Sequence, residues 1–218
     1  MSTRPVRFPW RALLWVALAA AVALARPAAA AVPDPAHCYV QNVIVGSWSG
    51  NPVPTSASPC SPKHPGLFYV IVHDALNLPI AGATVKLFFA GSGVRVYTAQ
   101  DAGTVVLCPG QELGATTDAS GIATFSPRLA GYNEGPSVQV TANGIVLGSV
   151  PAISPDYDGD GRVTLIDLNT MAGDYLNPLL VRLRSDFDNC PSSQLADLTY
   201  MTSEYLASSG QPASAVCP

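Results

Sequence analysis

From residue 67 onward the chain is a series of short apolar runs broken by glycine, proline, asparagine and aspartate. Residues 67–73 (LFYVIVH) form an almost unbroken run of β-branched and aromatic side chains, the pattern of a buried strand. Val85, Leu87 and Phe89 then alternate with Lys86 and Phe88 as a second strand. Residues 94–98 and 104–107 are shorter candidates, and 122–125 follows the turn residues 118–121. Residues 137–142 place Val138 and Val140 on one face, and Asn143 with Gly144 is a two-residue hairpin signal leading into 145–150. Proline presets φ and glycine supplies left-handed positions in the 77–82 turn. Seven or eight short strands separated by such turns predict a β-sandwich over residues 32–151, with 151–155 as a linker.

The period changes beyond residue 164. Leu168, Met171 and Tyr175 step by three and four, which puts them on one helical face. Leu198, Met201 and Tyr205 repeat the pattern 30 residues later, so residues 152–218 hold a duplicated unit, each copy a loop and a helix. The first loop, 156–167 (DYDGDGRVTLID), carries Asp156, Asp158, Asp160 and Asp167 at positions 1, 3, 5 and 12. Gly161 stands at position 6, where the chain must turn sharply. Arg162 at position 7 would offer its carbonyl, Thr164 at position 9 joins the ligand set, and Val163 at position 8 would pack inward toward a partner loop. This is the oxygen-rich spacing of an EF-hand calcium loop, so the implied cofactor is Ca²⁺. The second loop, 186–197, keeps Asp186, Asp188 and Asp197 but has Cys190, Pro191 and Ser192 at positions 5 to 7. Sulfur suits softer metals, so this copy is read either as a second calcium site or as a disulfide-held turn.

Two calcium loops with aspartate at position 12, each followed by one helix, resemble a type I dockerin over roughly residues 153–210. The resemblance implies an antiparallel pair of loop–helix units that folds with calcium and docks onto a cohesin domain. It also implies that positions 10 and 11 choose the partner: here Leu165 and Ile166, then Leu195 and Ala196. These are apolar where many dockerins carry Ser or Thr, so a cohesin-like partner would need an apolar patch. The β region resembles bacterial Ig-like modules through Val72, His73 and Asp74, through Pro79 to Val85 (PIAGATV), and through Thr117 to Phe125 (TDASGIATF).

Residues 1–31 read as a signal peptide: Arg4, Arg7 and Arg11, then an apolar run, then Ala29, Ala30 and Ala31. That run is short for a membrane span, and none is expected in the mature chain. Export to the cell surface or medium follows as an expectation. Without the leader, seven basic residues face fifteen acidic ones, a net charge of about −8 that argues against nucleic-acid binding. The five cysteines form no C-x-x-C pair and read as disulfide formers. Cys190 with Cys217 is the preferred pair; Cys60 with Cys108 and Cys38 with Cys60 stay open, with the odd thiol free or intermolecular. His37, His64 and His73 stand apart from any nucleophile elbow, so no enzyme is expected. Trp48, Tyr97 and Tyr132 are the candidates for a carbohydrate-stacking strip. Three functions result: a secreted module attached through a cohesin-like partner, a self-contained structural or adhesive protein whose calcium unit packs on its own β domain, or a carbohydrate-associated binding protein.

Overall fold

The alternation in the sequence is what the backbone uses. In strand β4 (Thr84–Phe88) Val85 and Leu87 are fully buried while Lys86 and Phe88 are half-buried. In β3 (Phe68–Ile71) Phe68 and Val70 point inward. This computed structural model describes residues 31–50, 66–177, 183–188 and 195–218; the leader expected at 1–31 therefore lies almost wholly outside the described residues. The fold is mainly β with two helices. A three-stranded sheet has the order β1 (Tyr39–Val40), β3, β8 (Ile122–Phe125). A six-stranded sheet has the order β2 (Ile44–Val45), β11 (Ile145–Ile153), β10 (Asn133–Ala142), β4, β7 (Glu112–Thr116), β6 (Val105–Leu107). β5 (Arg95–Val96) and β9 (Leu129–Ala130) form a separate pair. One apolar core draws on both larger sheets: Phe68, Val70 and Phe125 from one, Val85, Leu87, Leu113, Val138 and Val140 from the other.

Asn143 and Gly144 close the β10–β11 hairpin, both at positive φ, as the sequence predicts. Asp118 caps its turn by accepting from Ser120 N and Ile122 N, and Asp74 does the same with Leu76 N and Leu78 N. Strand β7 has no counterpart in the sequence reading, because ELGAT shows only Leu113 and Ala115 as an apolar pair. The expected linker is a correction. β11 continues past Pro151 to Ile153, and its end pairs in parallel with β2 through Ala152 and Ile153, both fully buried. Pro151 is tolerated because the pairing with β2 begins only at the next residue.

Residues 32–218 make up one compact unit. Helix α1 (Leu165–Tyr175) and helix α2 (Leu195–Ser208) follow β11, with a 3₁₀ turn (Leu183–Ser185) between them. A second apolar cluster joins them to the β region: Val43, Val45, Trp48, Tyr97 and Ile153 meet Tyr157, Val163, Met171, Phe187, Tyr200 and Met201. The helices are thus roofed by β-region residues, and polar contacts fix the roof. The fully buried Tyr200 donates its hydroxyl to Gly46 O at 2.9 Å.

Cys217 pairs with Cys108, Cα to Cα 5.3 Å. Neither Cys190–Cys217 nor Cys60–Cys108 therefore forms. The reason is local: residues 215–217 run beside 96–98, with Thr98 N on Ala215 O at 2.8 Å and Cys217 N on Val96 O at 2.7 Å, which carries Cys217 to the β region. Cys38 is a free, half-buried thiol directed at His73 O, so Cys38–Cys60 is not formed either. Cys60 and Cys190 themselves lie outside the described residues. No helix among the described residues is long and apolar enough to cross a membrane.

Candidate metal centre

The first loop is a chain of short polar contacts set by its own aspartates. Asp158 Oδ1 accepts from Asp160 N, and Asp160 Oδ1 accepts from Arg162 N, so each carboxylate bends the backbone two residues ahead of it. Asp156 reaches further, accepting from Gly159 N through Oδ1 at 2.8 Å and from Gly161 N through Oδ2 at 3.0 Å. Gly161 has φ +91°, and a Cβ there would stand 2.6 Å from Ser214 O, so no other residue fits position 6 without displacing that backbone.

Asp167 closes the loop from α1. It is the third residue of a capping box: Thr164 Oγ1 accepts from Ile166 N, and Asp167 Oδ2 accepts from Thr164 N at 2.8 Å. Its other oxygen accepts from Tyr157 N at 2.7 Å. Ligand-type oxygens of Asp156, Asp158 and Asp167 consequently lie within 4.8 Å of one another. Asp160, expected among them, is exposed and stands outside this group, with Oδ1 accepting from Arg162 N. Thr164 likewise uses its hydroxyl on the helix cap and on Asp167 Oδ2. Arg162 is exposed, and Val163 is buried as expected; the partner-loop residue it was to meet lies outside the described residues.

The second copy repeats the geometry at an offset of 30. Asp197 Oδ1 accepts from Phe187 N at 2.7 Å and from Asp188 N at 3.0 Å, as Asp167 Oδ1 does from Tyr157 N and, at 3.4 Å, from Asp158 N. Oxygens of Asp186, Asp188 and Asp197 gather within the same 4.8 Å. The rings of Tyr157 and Phe187, both at position 2, stack at 6.4 Å and 12°. Met171 and Met201 are both fully buried. Cys190, Pro191 and Ser192, which set the second loop apart, lie outside the described residues.

Burial dominates the electrostatics. Asp156 and Asp167 are fully buried, and loss of hydration pushes Asp156 up to about 7 and Asp167 upward as well. Among the described residues no lysine, arginine or histidine forms an ion pair with Asp156, Asp158 or Asp167. Two buried carboxylates, Asp156 and Asp167, converging with the exposed Asp158 and without a counter-charge call for a proton or a cation. The donor set is all oxygen, which fits a hard divalent ion such as Ca²⁺ and not a thiophilic metal.

Two contacts from the β region could not be read from spacing. Tyr97, fully buried, donates its hydroxyl to Asp156 Oδ2 at 2.6 Å. Trp48 donates Nε1 to Gly161 O at 2.8 Å. A third lies on α2, where the buried Glu204 accepts from Trp48 N, Ser49 N and Ser49 Oγ at 2.8–3.0 Å. Each links residues 59 to 156 positions apart, beyond any local motif. Trp48 and Tyr97 are therefore interior residues, and Tyr132 is half-buried beneath the Arg184 guanidinium at 5.3 Å, so these three do not form an exposed stacking strip. Leu165, Ile166 and Leu195 are exposed at 69, 63 and 70%, and Ala196 is half-buried. The chain matches no protein-family model, no curated protein and no solved structure.

Proposed function

We propose that this is an exported, non-catalytic calcium protein in which metal completes the folding of the paired loop–helix unit against an Ig-like β domain. The observation that carries the reading is the pair of carboxylate trios, 30 residues apart and each built on a position-1, -3 and -12 pattern. An ion at the first trio would be held by Asp156, Asp158 and Asp167, and at the second by Asp186, Asp188 and Asp197. At each trio it would supply positive charge among three converging carboxylates and so stabilise the folded loop. The shared apolar cluster supports the self-contained form of the reading, since the calcium unit rests on its own β domain. The test is thermal unfolding of the chain beginning at Val32, in excess calcium and in EDTA. A rise in Tm of about 8 °C or more with calcium is expected, on the order of 3 kcal/mol; equal Tm values in the two would end the calcium reading.

The second reading, attachment to a cohesin-like partner, draws on a different observation. Leu165, Ile166 and Leu195, apolar residues at the helix starts of both copies, face solvent rather than the β domain. Pull-down on an immobilised cohesin domain, with and without EDTA, separates the two: calcium-dependent retention supports docking, and none leaves the self-contained protein.

A further inference from the structure

The first metal loop does not stand on its own residues. Asp156 Oδ2 receives two donors, Gly161 N from within the loop and the Tyr97 hydroxyl from beyond it. Tyr97 is held in turn. Its N–H donates to Arg128 O, its backbone bridges Val216, and the Arg128 side chain lies 5.9 Å from its ring. Asp156 O accepts from Gly131 N, at the start of the turn into β10. On the other side of the loop Gly161 O accepts from both Trp48 Nε1 and Ser214 N. Position 1 and position 6, the two points that define the loop's curvature, are thus each gripped by groups from outside it.

From this arrangement we infer that the β domain completes the first metal site, with Tyr97 acting as the positioning residue that orients the Asp156 carboxylate. The inference rests on the calcium reading. Tyr97 would not itself hold the ion; it donates to Asp156 Oδ2. Its hydroxyl fixes which carboxylate oxygen faces the protein and so leaves the Asp156 group pre-aimed at Asp158 and Asp167. Outer-sphere partners of this kind typically change metal affinity by about 10–100-fold. Tyr97 donates to the first trio, so the effect is expected at that site.

The experiment is calorimetric titration of Ca²⁺ into the chain beginning at Val32, as wild type, Tyr97→Phe and Tyr69→Phe, alongside Tm in calcium and in EDTA. Tyr69 is a tyrosine of β3 whose ring stacks on Tyr39, away from the loop. Tyr97→Phe keeps the buried ring and removes only the donor. Expected are an affinity at one site lowered about 10-fold or more, a smaller calcium-induced rise in Tm, and wild-type behaviour for Tyr69→Phe. Wild-type affinity in Tyr97→Phe, or a Tm that falls equally in calcium and EDTA, overturns the inference and leaves the calcium reading intact. Absence of calcium binding by the wild-type chain overturns both. If Tyr97→Phe does not fold, Trp48→Phe, which removes the donor to Gly161 O, decides the inference by the same two readouts.

Discussion

At the residue scale, the telling groups are buried acids. Asp156 is held up to about 7 by burial, against an ordinary 3.8 in the unfolded chain. For such a raised acid the sign is fixed. The stability it contributes is full below about pH 4, where both states are protonated, and is lost as pH rises through 7, because the folded chain must then carry a buried charge. In EDTA, Tm is expected to fall by about 5 °C or more between pH 5 and pH 8. In excess calcium that fall should vanish, since the ion replaces the proton; melting curves across pH with and without chelator check this. Glu204 has a different role. Its carboxylate serves two backbone N–H groups and a hydroxyl, so Glu204→Ala leaves buried donors without an acceptor. The expected loss is about 3 kcal/mol, read as a lower denaturant midpoint with unchanged m. None of this was legible in the sequence, where Glu204 is one acid among nine beyond residue 155 and Tyr97 looks like a strand residue.

At the element scale, the sequence was most informative where chemistry is local. The 67–73 run, the Asn143 and Gly144 hairpin and the Asp156–Asp167 spacing each constrain the backbone within a dozen residues; the first two became the expected elements, and the third brought three carboxylates together. Strand β7 was missed because its outward positions begin with Glu112 and Gly114, which disfavour strands, and Thr116 alone carries β propensity; it forms because β4 and β6 pair with it on either side. Asp160 stands outside the carboxylate trio, with Oδ1 accepting from Arg162 N; spacing shows which side chains share a loop, but not where each carboxylate points. The starts of α1 and α2 lend themselves to a clean test. Leu165→Asp combined with Ile166→Asp removes exposed apolar surface, so Tm should stay within about 2 °C of wild type. Under the attachment reading, cohesin capture should disappear in the same variant, as measured by retention on the immobilised domain.

At the scale of the whole molecule, long-range closure decides the architecture, and this is what a single sequence hides. Five cysteines allow many pairings, and only the run of residues 215–217 beside 96–98 selects Cys108 for Cys217. That bond spans 109 residues of sequence. Replacing both cysteines by serine should lower stability by about 4 kcal/mol, measured by chemical denaturation under non-reducing conditions. The duplicated halves also differ in what satisfies their equivalent buried acids. Asp174 is met by Arg184 and Ser185 from the same tail, whereas Glu204, 30 residues on, is met by Trp48 and Ser49. The halves have therefore ceased to be interchangeable. A chain with the two repeats transposed would bring an aspartate, one methylene shorter, to the Trp48 backbone and a longer glutamate to the arginine. What began as a copy has become a left and a right hand.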